Sequence, residues 1–332
     1  MALDFYKPVL PGKRREDLMM KVKRVRVAVI GVGGVGGYIG AKLAMAGQKN
    51  LELFFVARGE HLRAIGDRGL TVNSPDFTGG QVNIKPVAVT DKISDLGQAE
   101  VFIITVKGYD LATVAVELKP LVGEHTLILP LLNGADIYDR LRSIIPKGVI
   151  LPACIYISSH ITAAGVVNHL SNSARIIMGK DPNHPDFVPH NLLDLFKEAK
   201  LDCVWKEDAA DDIWEKYIFI SAFSLVSACY DRSIGEILAE PTLQKEVVGI
   251  MNEVFAIARK KGILLPENIV DLTIEKAGGF PYETRTSFQR DVAQGKPENE
   301  LEILGGAIIE MGRKFGVTTN FTARIYNDLK KD

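Results

Sequence analysis

The chain has 332 residues, enough for two domains that each bury a core of their own. Hydrophobic residues at 47% and charged residues at 24% exclude a largely disordered chain, and a formal net charge of −1 gives no overall basic field to recommend nucleic acid or an anionic membrane as partner. Three cysteines with no CxxC pair point to reduced thiols in the cytoplasm, and six scattered histidines without zinc spacing point to no metal site.

Residues 1–23 carry several cations but no apolar stretch followed by a small-residue cleavage site, so they are expected as a solvated, partly disordered extension rather than a secretory signal. From 24 to 185 short apolar runs alternate with helical stretches. The runs are VRVAVIG, LELFFVA, VFIITVK, TLILPLL and VILPACIYI, and helices fit between them at 36–46, 61–68 and 112–118. Continuous β-branched runs of this length suit parallel strands covered on both faces, and their alternation with helices predicts a doubly wound α/β sheet. GVVNHL and ARIIMG follow without a helix between them and are expected to extend that sheet antiparallel. After the Pro- and Asp-rich segment DPNHPDFVP the pattern turns helical, apart from a short LDCVW run, so 186–332 is expected as an all-α domain. Within it 212–230 is apolar almost all round and reads as a central buried helix, and 246–262 ends on Lys-Lys-Gly, cations followed by a C′ glycine. Further helices are expected at about 266–277, 285–294, 300–314 and 320–330.

The strongest single motif is G-x-G-x-x-G at Gly31, Gly33 and Gly36, placed between a strand and a helix. Gly31 permits a tight turn, Gly33 lets backbone approach a pyrophosphate, and Gly36 lets helix pack close to strand. Helix N-terminal N–H groups then face the anion, so Gly31, Val32, Gly33, Gly34, Val35 and Gly36 are the expected phosphate cradle of a Rossmann-type dinucleotide site. The next strand ends at Arg58, where an acidic residue would bond the ribose of NAD. An arginine there favours the 2′-phosphate of NADP instead, although Glu60 adds negative charge nearby.

Beyond these motifs, GVGGVGGYIG, VARGEHLRAIGDRGLTV, ITVKGYD, LLNGAD, WEKYIFISAF and SFQRDVAQGKPENELEILGGAIIE, in this order and spacing, resemble the ketopantoate reductases (2-dehydropantoate 2-reductases) over nearly the whole chain from Arg24. The resemblance implies a catalytic lysine at Lys216, an active-site glutamate at Glu300, a carboxylate-binding serine at Ser287, a cofactor- and substrate-contacting asparagine at Asn133 and a lysine near the cofactor at Lys107. It implies NADPH-dependent reduction of 2-dehydropantoate to pantoate, with Lys216 as general acid and Glu300 able to hold the ammonium or accept from a substrate hydroxyl. One departure stands out. Where the family usually carries substrate-contacting asparagines one and two turns after the lysine, this chain has Ile220 and Ser224.

Read on their own, Lys216 is more readily a snorkelling lysine, Glu300 an acidic first helical turn, Ser287 a helix-start hydroxyl and Asn133-Gly134 a turn. Two alternatives therefore stay open: a reductase of another small 2-oxo acid, and a non-catalytic dinucleotide-binding regulator. The expected partner is a small-molecule 2-oxo acid, with a homodimer left open and neither nucleic acid nor membrane expected.

Overall fold

A computed structural model describes residues 25–46, 51–170, 174–296 and 298–331. The expected extension at 1–23 lies outside the described residues. The chain runs β1 (Val25–Ile30), α1 (Gly34–Ala46), β2 (Leu51–Val56), α2 (Gly59–Arg68), β3 (Leu70–Asn73), β4 (Gln81–Ile84), β5 (Ala88–Thr90), β6 (Val101–Ile104), α3 (Leu111–Leu118) and β7 (Leu127–Pro130). It continues through α4 (Ile137–Ile144), β8 (Val149–Ile150), β9 (Ala153–Tyr156), β10 (Ser159–Ala163), β11 (Val166–His169), β12 (Arg175–Gly179), α5 (His190–Glu198) and β13 (Asp202–Lys206). Helices then follow one another: α6 (Ala210–Tyr230), α7 (Ile234–Ala239), α8 (Pro241–Lys261), α9 (Ile269–Gly278), α10 (Ser287–Ala293), α11 (Ala307–Phe315) and α12 (Asn320–Leu329). Among the described residues no helix is long and apolar enough to cross a membrane.

Six strands lie parallel in the order β5-β2-β1-β6-β7-β8. The chain leaves β1 towards β2 and β5, then returns to lay β6 on the other side of β1. This is the doubly wound Rossmann-type order, with its crevice at the C-terminal ends of β1 and β6. Successive residues of β1 serve opposite faces: Val27 and Val29 join one apolar cluster, Ala28 and Ile30 another, and all four are sealed from solvent. A strand covered on both sides has no polar positions to spare, which is why these runs read as unbroken hydrophobic stretches.

GVVNHL and ARIIMG do not extend this sheet. The first forms β11 in a four-stranded sheet ordered β10-β11-β3-β4, and the second forms β12 in a three-stranded sheet ordered β13-β12-β9. The edge they were expected to join is stopped by proline and carboxylate. VILPACIYI breaks into β8 and β9 around Pro152, which has no N–H to continue a ladder. The N–H of Ile150 is taken by the buried carboxylate of Asp181, which also receives Tyr138, His184 and Arg142. The segment 186–206 likewise packs differently from the expectation. Leu192, Phe196, Ala199 and Leu201 belong to the core of the sheets, and β13 pairs parallel with β12, so the helical core begins with α6.

In that core, α6 buries Trp214, Tyr217, Ile218, Ala222, Phe223, Leu225 and Val226 against α8, α9, α10 and α12. The pattern for α8 was read from 246, yet the helix starts five residues earlier with Pro241 in its first turn, and it ends at Gly262 with φ 86°. The short helix α7 was not anticipated. Its signal was present as Ser233-x-x-Glu236, a capping box with both reciprocal hydrogen bonds formed.

The two cores meet at Ile303. This residue lies in a π-helical turn (Glu302–Gly306) that leads into α11, yet its side chain is counted in the cluster under α3 and α4 of the sheet domain. Two glycines make room for it. A Cβ on Gly108 would stand 2.3 Å from Ile303 Cγ1, and one on Gly134 would stand 3.3 Å from Ile303 Cγ2. The Ile303 carbonyl meanwhile accepts from the buried Tyr217 hydroxyl of α6 at 2.7 Å. Overpacking of this kind costs about 1–3 kcal/mol. Gly108→Ala is accordingly expected to lower the unfolding free energy measured in urea by a comparable amount, and Gly108→Ala with Ile303→Ala to cost less than the two single changes summed, because the new methyl enters the vacated space. Additive losses in equilibrium unfolding would contradict this docking.

Candidate active site

The crevice begins at the glycine turn. Gly31 has φ +95°, and a Cβ there would stand 2.7 Å from Val106 at the end of β6. A Cβ on Gly36 would meet the Gly31 carbonyl and Thr105 Oγ1, both at 2.4 Å, so α1 leaves β1 at a distance only glycine tolerates. Thr105 Oγ1 donates to the Gly31 carbonyl at 2.7 Å and pins the turn to β6. Gly33 differs from both. A Cβ on it would meet nothing within 4 Å, so the protein's own packing does not require a glycine there. An open approach to backbone, beside the first N–H groups of α1 that no helical carbonyl can satisfy, suits a phosphate. Val32 is buried, while Gly34 and Val35 are part-buried in the first turn of α1.

Arg58 immediately precedes α2 and is exposed, with its guanidinium 2.9 Å from Asp110. That hydrogen bond is the main reason its pKa is raised. A second anion at Arg58 would therefore share the cation with Asp110, a partner 52 residues away that the sequence did not reveal. His61 of α2 accepts the Gly165 N–H through Nδ1 at 2.9 Å and ties α2 to the β10–β11 turn.

Across the crevice, Lys216 rises from the second turn of α6. Its ammonium donates to Asn133 Oδ1 at 2.9 Å and to the Ile155 carbonyl at 2.8 Å, and lies 5.7 Å from the centre of the Tyr156 ring. Asn133 follows β7 and Ile155 belongs to β9, so groups of the sheet domain hold a lysine of the helical domain. Burial pulls the Lys216 pKa below its ordinary value, and the Glu300 carboxylate opposes that only in part; the nearby Cys154 thiol, which burial pushes up to about 11, carries no charge at neutral pH.

Glu300 does not hold this ammonium. Its carboxylate, 4% exposed, pairs with Lys107 at 2.9 Å, and Lys107 reaches Asp291 of α10 at the same distance. Burial works to lower the Lys107 pKa, and the two carboxylates outweigh it and raise it. Lys107, expected beside a cofactor, thus sits between both domains. Asp291, which lies within SFQRD, was not singled out from the sequence, since nothing local distinguishes it from a solvated helix carboxylate. Ser287 opens α10 exposed to solvent, after Thr286, whose hydroxyl caps the helix and bonds Ser227 Oγ of α6 at 2.9 Å. Ser224 is buried on α6, and Ile220 is half-buried one turn after Lys216.

Elsewhere, Ser74 Oγ lies 2.8 Å from His169 Nδ1, a serine–histidine contact invisible to spacing. Both residues are sealed in the interior, and Ser74 Oγ also accepts from the Asp76 N–H, so the cluster is a packing element rather than a hydrolytic site.

The described geometry coincides with known families. The residues 27–183 match the family described as Ketopantoate reductase PanE/ApbA, and 208–331 match its C-terminal counterpart, Ketopantoate reductase PanE/ApbA C terminal. The uncharacterized oxidoreductase YkpB of Bacillus subtilis (strain 168) is 26% identical over 306 residues, covering 92% of this chain and 98% of that protein. A 2-dehydropantoate 2-reductase of Mesorhizobium japonicum is 27% identical over 309 residues, covering 87% of this chain and 92% of its own. A D-mandelate dehydrogenase solved with NADH and anilino(oxo)acetate superposes with a TM-score of 0.81 over 92% of this chain and 98% of its own, and at 20% identity it shares the fold. With a sheet domain and a helical domain that each match, the chain belongs to the ketopantoate reductase PanE/ApbA family of oxidoreductases.

Proposed function

We propose that this protein reduces the 2-oxo group of a small 2-oxo acid with NADPH, 2-dehydropantoate to pantoate being the named reaction that its relatives suggest, a step towards pantothenate and coenzyme A. The observation that carries the reading is the Lys216 ammonium. It has three N–H donors, of which two are spent on Asn133 Oδ1 and the Ile155 carbonyl. The third is left for an oxygen arriving in the crevice.

The turn from Gly31 to Gly36 would take the pyrophosphate, with Gly33 and the α1 N-terminus nearest to it, and Arg58 would take a 2′-phosphate. When bound, the reduced nicotinamide supplies the hydride. Lys216 hydrogen-bonds the carbonyl oxygen, stabilises the charge that grows there, and gives up its proton as the alcohol forms. Its depressed pKa makes that proton easier to release. Glu300 supports the ammonium through space while Lys107 and Asp291 fix its position, and Asn133 orients the amine. Ser287, exposed at the start of α10, would donate to the substrate carboxylate. A second reading, the same chemistry on another small 2-oxo acid, is favoured by Ile220 and by the enclosed Ser224, one and two turns after Lys216 on α6.

Following NADPH oxidation with 2-dehydropantoate and a panel of 2-oxo acids tests the reading, and no turnover of any of them, with NADPH or NADH, would contradict it. Lys216→Ala is expected to lower kcat by about 10²–10⁴-fold, with NADPH affinity by fluorescence titration barely changed. Since the acid must be protonated, wild-type reduction should fall as pH rises through the Lys216 pKa, at a pH below the ~10.4 of an ordinary lysine. That limb should vanish in the variant. A variant with near-normal kcat would remove Lys216 from the mechanism.

The cofactor assignment has its own test. Arg58→Asp should shift both the NADPH/NADH ratio of kcat/KM and that of Kd towards NADH, whereas Asp110→Asn, by freeing the guanidinium, should tighten NADPH binding. Ratios that stay unchanged in Arg58→Asp would refute the 2′-phosphate role.

A further inference from the structure

We propose that Tyr156 is a positioning residue for the reduction: its ring stands against the Lys216 ammonium and keeps that charge in place without taking one of its hydrogens. The inference rests on the reading of Lys216 as the acid, and it concerns a side chain that neither the glycine motif nor the family resemblance singled out.

One strand gives this lysine two supports. β9 is the end strand of its sheet, in the order β13-β12-β9. An end strand has backbone groups that no neighbouring strand pairs, and the Ile155 carbonyl takes a Lys216 hydrogen at 2.8 Å. Successive side chains of a strand face opposite ways. Ile155 accordingly enters the core of the sheets, whereas Cys154 and Tyr156 join a small cluster with Ile177, Ala209 and Ile213 at the start of α6. The centre of the Tyr156 ring then lies 5.7 Å from Lys216 Nζ and 5.3 Å from Lys276 Nζ of α9.

An aromatic face attracts a cation within about 6 Å of its centre, most strongly where water is excluded. A hydrogen bond needs a much closer approach, so at this separation the ring leaves the third hydrogen of Lys216 free. The contact offsets part of the cost of enclosing an ammonium whose acceptors are Asn133 Oδ1 and the Ile155 carbonyl. Burial lowers the Lys216 pKa and raises that of the Tyr156 phenol, so the phenol keeps its proton and adds no charge of its own. Lys276 shares the ring, while Glu215 of α6 holds its ammonium at 3.1 Å. The other titratable or charged groups around the pair are Cys154, Asp212 of α6, Glu300, and Lys206 of β13, which pairs with Asp212.

The Cε resonance of Lys216 in lysine-labelled protein, assigned by its loss in Lys216→Met, follows protonation of the amine without any substrate. Tyr156→Leu keeps an apolar side chain and removes the ring. It is expected to lower the Lys216 pKa by about one unit, whereas Tyr156→Phe leaves it unchanged. The alkaline limb of kcat/KM for 2-dehydropantoate with saturating NADPH should move with the resonance, to lower pH in Tyr156→Leu and not in Tyr156→Phe. Should Tyr156→Leu fail to fold by circular dichroism, a fluorinated phenylalanine introduced at position 156 weakens the ring face at nearly constant shape, and the same fall is required of it. A Lys216 pKa that is unchanged or raised on loss of the ring overturns the proposal, because removing a mere space-filler admits water and favours the charged form. Equal loss of activity in Tyr156→Phe and Tyr156→Leu also overturns it and assigns the function to the hydroxyl. A wild-type protein that turns over no 2-oxo acid, with resonances that behave as stated, overturns the reductase reading and leaves the ring contact standing.

Discussion

An ammonium group enclosed by protein dominates the energetics of this crevice. Lys216 belongs to one domain and its two hydrogen-bond acceptors, Asn133 Oδ1 and the Ile155 carbonyl, belong to the other. Removing a cation from water is expensive unless fixed dipoles replace that water, and here both dipoles come from strand ends of the sheet domain. The lysine is therefore correctly placed only while the domains are docked. Ile303 secures that docking: its side chain enters the space left by Gly108 and Gly134, and Tyr217, the residue after Lys216, holds its carbonyl. Packing at one residue and charge placement at another are thus parts of a single constraint.

The second charged cluster obeys the same geometry. Glu300 lies three residues before Ile303, so the turn that docks the isoleucine also brings the carboxylate to Lys107, which follows β6. Asp291 adds a second carboxylate to the same lysine, and its own pKa is lowered because Lys296 and Lys107 outweigh the effect of burial. Enclosed ion pairs contribute little net stability, since desolvation offsets attraction. What this cluster supplies is position. It keeps a negative charge near Lys216 without neutralising it through a direct bond, so the amine keeps a hydrogen available in the proposed reaction.

Features determined by neighbouring residues were legible in the sequence, and features determined by distant ones were not. Strand, glycine turn and helix from Val25 to Ala46 could be read because a tight turn and a close approach each demand glycine at a fixed place. The buried helix α6 could be read because it lacks a polar face. The fates of GVVNHL and ARIIMG could not, because strand partners are chosen by long-range pairing and Pro152 with Asp181 had already closed the edge of the first sheet. Segment 190–206 has a helical then an extended pattern but no local mark of which core receives it. Lys216, Asn133, Glu300 and Lys107 were picked out by resemblance rather than spacing. Their pairing, Lys216 with Asn133 and Glu300 with Lys107 across 193 residues, required coordinates, as did Asp110 opposite Arg58. The capping box of α7 was visible and passed over.

The central claim is that the remaining hydrogen of the Lys216 ammonium is directed at the oxygen being reduced. A crystal structure of the protein with oxidised cofactor and a 2-hydroxy acid product measures this directly. The account predicts the product's 2-hydroxyl oxygen within about 2.7–3.2 Å of Lys216 Nζ, with the bonds to Asn133 and Ile155 retained. A 2-hydroxyl bound elsewhere in the crevice, with the amine turned away from it, would contradict the account.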